Sequence, residues 1–134
     1  GELVRLCYSG KYTEKEMIKQ LVGKAGFNAY CGSNDARDIE AMAKNGDKHA
    51  QLVFDAFLYQ VSKDIGAQAA VLSGKVDQII LTGGIAYGKY ATEEITKRVK
   101  FIAPVTVYGG EDELLALAQG ALRVLNGEEE AKVY

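Results

Sequence analysis

The stretch IILTGGIAYGKY, residues 79–90, decides how this chain folds. An Ile-rich apolar run leads into a glycine pair, and a polar segment able to start a helix follows. The stretch nearly spells a phosphate-binding P-loop: Gly83, four residues, then Gly88-Lys89. A P-loop needs Ser or Thr next, to place a hydroxyl on Mg²⁺, and Tyr90 stands there instead. Three readings are open at this point: an altered P-loop, a different nucleotide site, or a plain strand-to-helix turn.

The flanking residues give the turn its setting. VDQIILT reads as a short buried parallel strand. A helix is predicted over about 89–100, and APVTVYG is a second strand. EDELLALAQGALRVLNG is an amphipathic last helix, with Asn126-Gly127 as its stop. Strand, helix, strand, helix implies a crossover and parallel strands. Two strands are few for a stable sheet, so further strands are expected from preceding sequence or another copy.

Upstream, Thr13 and Glu16 form a capping box that opens a helix over about 14–22. SNDARDIE offers several caps for a helix reaching about Lys44. From Asp47 a long helix runs to about Gly74, with Val53, Phe57 and Val61 near helical spacing. The small residues Gly66, Ala67, Ala69 and Ala70 predict close approach to another backbone. The expected division is a helical region over 1–46 and, over 47–134, a helix plus a β-α-β-α core, all within one lobe.

Length, 134 residues, suits one domain, and 48% apolar content suits a folded one. The net charge of −2, with signs interspersed, leaves no footprint for nucleic acid and no polybasic patch for a membrane. Cys7 and Cys31 have no metal-ligand spacing and read as free thiols, consistent with a cytoplasmic protein. The chain opens at Gly1 without an initiator Met, which reads as part of a longer protein.

Four sets of residues could carry chemistry. Gly83-Gly84 lies at the carboxyl end of a strand, where ligands bind open α/β sheets and where missing Cβ atoms let backbone lie against a ligand. The following helix start offers N–H groups to an anion. The plain alternative is an eased turn. Asp35 and Arg37 bracket a helix start: either a cap with a solvated charge, or a ribose acceptor and a guanidinium for a base or phosphate. Glu111, Asp112 and Glu113 open the last helix, serving either its dipole or Mg²⁺ through water. His49, the one histidine, is expected to be exposed and structural, so no Ser-His-Asp or Cys-His set can be built.

Together these segments resemble the C-terminal part of the butyrate kinases, a branch of the acetate/butyrate kinase family in the actin-like, sugar-kinase-like ATPase superfamily. The matching pieces are VRLCYSGKYTEKEM, LVGKAGFNAYCGSNDARDIE, IILTGGIAYGKY, RVKFIAPVTVYGGEDE and ALAQGALRVLNGEEE, in family order. The resemblance implies an α/β fold: the C-terminal fragment of an actin-like (RNase H-like) ATPase domain, mostly helical with a parallel β-α-β-α unit. It implies phosphoryl transfer between ATP and a short-chain or branched fatty acid, giving an acyl phosphate, with Mg²⁺ and ATP/ADP bound. It implies nucleotide contacts at Asp35, Arg37, Thr82, Gly83, Gly84, Ile85, Ala86 and Tyr87, and an acidic pair near the metal at Asp112 and Glu113. The family's first phosphate loop, catalytic histidine and arginines, and acyl pocket lie earlier in the parent chain, and His49 does not match that histidine. The fragment is therefore expected to be inactive alone, to need the N-terminal part of its protein, and to belong to a homo-oligomer.

Two rivals remain. Another ATPase of the superfamily, a sugar kinase or chaperone ATPase, shares a glycine turn but not NDARD or APVTVYGGEDE. A non-enzymatic helical interaction domain needs no glycine turn at a strand end. A Rossmann site is weaker than either, since GGIAYG lacks the Gly-x-Gly-x-x-Gly spacing.

Overall fold

The computed structural model describes residues 1–110 and 112–132. Among the described residues seven α-helices and two strands follow one another: α1 (Glu2–Cys7), α2 (Glu14–Leu21), α3 (Phe27–Cys31), α4 (Ala36–Lys44), α5 (Lys48–Val71), β1 (Ile79–Leu81), α6 (Lys89–Val99), β2 (Val105–Val107) and α7 (Glu113–Leu125). A 3₁₀ turn, Gly84–Tyr87, joins β1 to α6. The expected helices all form. The two shortest, α1 and α3, are additions for which the sequence carries no cap signal.

The caps explain the boundaries. Thr13 and Glu16 form the complete capping box of α2, each side chain satisfying the other's backbone N–H. Asp47 accepts from the N–H groups of His49 and Ala50 and starts α5. His49 Nε2 lies 3.1 Å from the Tyr30 carbonyl oxygen, so the exposed histidine ties α5 to α3.

The core forms where α4, α5 and α6 meet. Its line on α5 is Ala50, Phe54, Leu58 and Ser62, at four-residue spacing. Ile39 of α4 and Ala91, Ile95 and Val99 of α6 close over it. Phe54, Ile39 and Leu58 are fully buried, each such side chain stabilising the fold by about 1.5–3 kcal/mol. Ile39 lies before residue 46, so packing runs across that division of the sequence. Val53, Phe57 and Val61 sit one residue over from the buried line and are half-exposed. The close approach predicted at Gly66 is not found: a Cβ there would meet nothing within 4 Å among the described residues.

β1 and β2 pair in parallel, with Ile79 opposite Val105, Ile80 opposite Thr106 and Leu81 opposite Val107. Ile79 faces the core, while Ile80 on the other face is 59% exposed. No residue of α7 is buried, and Leu114, Leu117 and Leu125 lie open. Among the described residues no helix is long and apolar enough to cross a membrane.

Candidate nucleotide site

The turn after β1 is built around Gly83. Its φ of 85° with ψ of −178° is a conformation essentially confined to glycine. The chain then tightens into the 3₁₀ turn, where Ala86 N–H donates to the Gly83 carbonyl at 3.1 Å. Gly84 differs: its φ is ordinary, and a Cβ on it would meet nothing within 4 Å. Its missing side chain is not needed by the fold and leaves open the space beside it.

That space is a cleft of about 1160 Å³. Thr82, Gly83, Gly84, Ile85 and Tyr87 form one wall, and Asp35, Arg37, Glu40 and Lys44 of α4 the other. Two segments some fifty positions apart in sequence thus face each other, as expected if both serve one ligand. Ala86 does not line the cleft; it is buried and anchors the turn from within.

Asp35 caps α4, accepting the Arg37 N–H at 2.9 Å. It also accepts Arg37 Nε at 3.0 Å and 3.1 Å on its two oxygens, and Arg37 Nη2. These bonds occupy most of the roughly four acceptor positions of a carboxylate. Asp35 is therefore engaged with Arg37 and is not a free ribose acceptor in this arrangement. The Arg37 guanidinium beside Asp35 holds its carboxyl down at about 2. Any stability from this pair is present above the ordinary value of 3.8 and is lost as the pH falls toward 2. The Arg37 side chain remains 84% exposed while held along its edge by Asp35.

Three observations weigh against the P-loop reading. Tyr90 turns away from the cleft: its hydroxyl donates to Asp55 at 2.7 Å and accepts from Gln51 at 3.0 Å, closing a triangle with the Gln51–Asp55 bond. The bond to Asp55 raises the Tyr90 phenol above its ordinary range, so it stays protonated and structural. Lys89 starts α6 at the margin of the cleft, which it helps to line, but its side chain is 88% exposed and its ammonium lies 3.8 Å from Glu93. Finally, the start of α6 already has an anion beside it, because a Cβ on Gly88 would lie 3.2 Å from Glu40 Oε2.

A second cleft adjoins the first across Thr82 and Tyr87, which line both. It is about 600 Å³ and is bounded by Tyr108, Gly109, Gly110, Asp112 and Glu113. Gly83 and Gly110 exchange backbone hydrogen bonds at 3.3 Å and 3.2 Å, locking the loop after β1 to the loop after β2. The Tyr87 ring lies against that junction; a Cβ on Gly110 would fall 2.8 Å from Tyr87 Cζ. Asp112 is the N-cap residue of α7 yet makes no side-chain capping bond, so capping does not account for it. Among the described residues no group of three or more His, Cys, Asp or Glu side chains could hold a metal directly. Glu111 lies outside the described residues.

Glu40, Lys44 and Tyr87's seat on Gly109-Gly110 escape sequence reasoning. The first two are legible only as cleft residues once α4 is known to face the glycine turn. Their i, i+4 spacing alone reads as a surface ion pair.

The model of the Acetokinase family matches residues 6–130. Butyrate kinase 2 of Clostridium acetobutylicum is 62% identical over the whole chain, which spans 38% of that protein. A probable butyrate kinase of Clostridium botulinum is 54% identical over the same span and share. Among solved structures, Porphyromonas gingivalis acetate kinase superposes with a TM-score of 0.78 at 24% identity, over 93% of this chain and 38% of that one. A propionate kinase of Francisella tularensis gives 0.72 at 20% identity, over 85% and 35%. The fold is thus that of part of the acetate and propionate kinases, and the chain, spanning about two-fifths of its curated relatives, belongs to the acetokinase family.

Proposed function

We propose that this chain is the nucleotide-binding part of a butyrate-kinase-type enzyme, which transfers phosphate between ATP and a short-chain or branched fatty acid to give an acyl phosphate. The observation that carries the reading is the convergence of Asp35-Arg37 and Thr82–Tyr87 on one cleft. The names of the relatives supply the acyl acceptor. Each residue has a role that its geometry suits. Arg37, held by Asp35, offers a flat cation to the base. The open backbone at Gly84 lets the sugar and phosphates pass close to the chain. Gly83 supplies the bend that exposes it. Thr82 and Tyr87 separate the base-side cleft from the acidic one.

Asp112 and Glu113 fit a Mg²⁺ held through water beside the nucleotide phosphates, since Mg²⁺ keeps several waters and needs few protein ligands. When bound, the ion would neutralise charge developing on the transferred group. On this reading Asp112→Asn shifts the Mg²⁺ dependence of turnover and lowers kcat. If the acids serve only the helix dipole, the variant loses about 0.3–1 kcal/mol of stability while its Mg²⁺ dependence stays put.

The test is acyl-phosphate formation from ATP and butyrate. We expect turnover from the full-length protein and none from residues 1–134 alone. The chain's one histidine, His49, lines neither cleft and has its Nε2 3.1 Å from the Tyr30 carbonyl oxygen. Turnover by the purified fragment would overturn this assignment of roles. A full-length protein that neither binds ATP nor phosphorylates a carboxylic acid would overturn the function. The cytoplasm and a homo-oligomer are part of the proposal, on the strength of the family resemblance. Elution of the full-length protein as a monomer at working concentration would remove the second.

A further inference from the structure

We propose that Glu40 reads the base of the bound nucleotide, its carboxylate accepting a hydrogen bond from the exocyclic amine of a purine. The inference rests on the nucleotide reading above and adds the group that selects among nucleotides.

Arg37, Glu40 and Lys44 project from one face of α4 into the cleft, at the spacing that stacks side chains along a helix. Arg37 and Lys44 extend into solvent, with side chains 84% and 67% exposed. Glu40 is recessed, its side chain only 14% exposed. Its Oε1 is buried and, among the described residues, receives no hydrogen bond. It is ion-paired with the Lys44 ammonium, 2.8 Å away. Oε2 lies at the glycine turn, where the missing Cβ of Gly88 leaves it room. A recessed carboxylate is costly to hold even when paired, so its place in this cleft calls for a reason.

The surroundings supply it. Phe27, Phe54 and Phe57 line the same cleft, giving its wall aromatic, apolar character that suits a flat ring. Arg37 stands one turn before Glu40, where its guanidinium can cover the face of a base whose edge points at Glu40. A purine amine is a planar donor able to join or displace the exposed Lys44 ammonium, which can move away on its flexible stem. The same negative charge repels phosphates from this end of the cleft. It directs them past Gly83-Gly84 toward the acidic cleft, so base and phosphates take opposite ends.

The experiment compares nucleotides that differ by the amine alone, in the full-length protein: ATP against purine riboside triphosphate, and GTP against inosine triphosphate. A hydrogen bond to a charged acceptor predicts that the wild type prefers the amino form of at least one pair by on the order of tenfold in KM. In Glu40→Ala that preference should fall to about twofold or less. Glu40→Gln, which keeps an uncharged acceptor and the side-chain volume, should fall between the two and decides the matter if the alanine variant does not fold. A structural role for Glu40 would change every KM together and leave the ratios alone. Equal KM values within both pairs in the wild type, or ratios unchanged in the variants, overturn the inference while leaving ATP binding intact. Failure of the wild type to bind any of the four removes the nucleotide reading itself.

Discussion

Gly84→Val in the full-length protein is expected to weaken ATP binding by about a hundredfold or more, as a cost near 3 kcal/mol for overfilling a close contact implies. The same substitution should leave the fold almost untouched. Gly84 has an ordinary φ, and a Cβ built there meets nothing within 4 Å. A branched side chain therefore enters the cleft without disturbing the protein, and the melting temperature should move by about 3 °C or less. Gly83 supplies the contrast. Its backbone at φ 85° and ψ −178° is closed to other residues, so substitution there costs about 1–3 kcal/mol of stability before any ligand is considered. Isothermal titration with ATP, beside a thermal melt, separates the two positions. A Gly84→Val protein that binds ATP normally would mean that the ligand does not pass over this turn.

Arg37→Ala should raise the KM for ATP by roughly ten- to a hundredfold, the range expected for losing a charged hydrogen-bonding or base-stacking partner. The KM for butyrate should stay near the wild-type value. That split matters, because Arg37 lies on the base-side wall and its guanidinium touches no other described residue than Asp35 through a hydrogen bond. A general loss of stability would raise neither constant selectively. The substitution also releases Asp35, whose carboxyl should climb from about 2 toward its ordinary 3.8. Acid unfolding then loses the contribution that the wild type keeps until the pH falls toward 2. Equal KM values for ATP in the two proteins would return Arg37 to the status of a surface charge.

The parts of this fold that were legible in the sequence are those fixed by local chemistry. Thr13 with Glu16, Asp35 and Asp47 announce three helix starts because a side-chain acceptor at a cap satisfies backbone N–H groups whatever lies around it. The Ile-rich run before Gly83 marks β1, and the glycine marks its end. The face of α5 was harder to read. That helix is apolar around much of its circumference, so Val53, Phe57 and Val61 compete with the true line of Ala50, Phe54 and Leu58. Only the positions of Ile39 and Ile95 decide between them. The engagement of Asp35 by Arg37 is likewise a matter of which way a side chain turns, and spacing cannot report it. Tyr90 is the plainest case. Its identity excludes a P-loop, but its reason for being there lies on α5, in Gln51 and Asp55, thirty-five positions and more away.

The central claim is that GGIAYGKY presents its backbone to a nucleotide and that its likeness to a P-loop is accidental. In a P-loop the lysine reaches the β- and γ-phosphates, so losing it removes charge stabilisation from the transferred group. Here Lys89 stands at the margin of the cleft, 88% exposed and beside Glu93. The most direct measurement is kcat for Lys89→Ala in the full-length protein, with ATP and butyrate at saturation. The geometry predicts a value within a few-fold of the wild type, as for an exposed surface charge. A fall of several orders of magnitude would contradict it and make Lys89 the phosphate-binding lysine of this site.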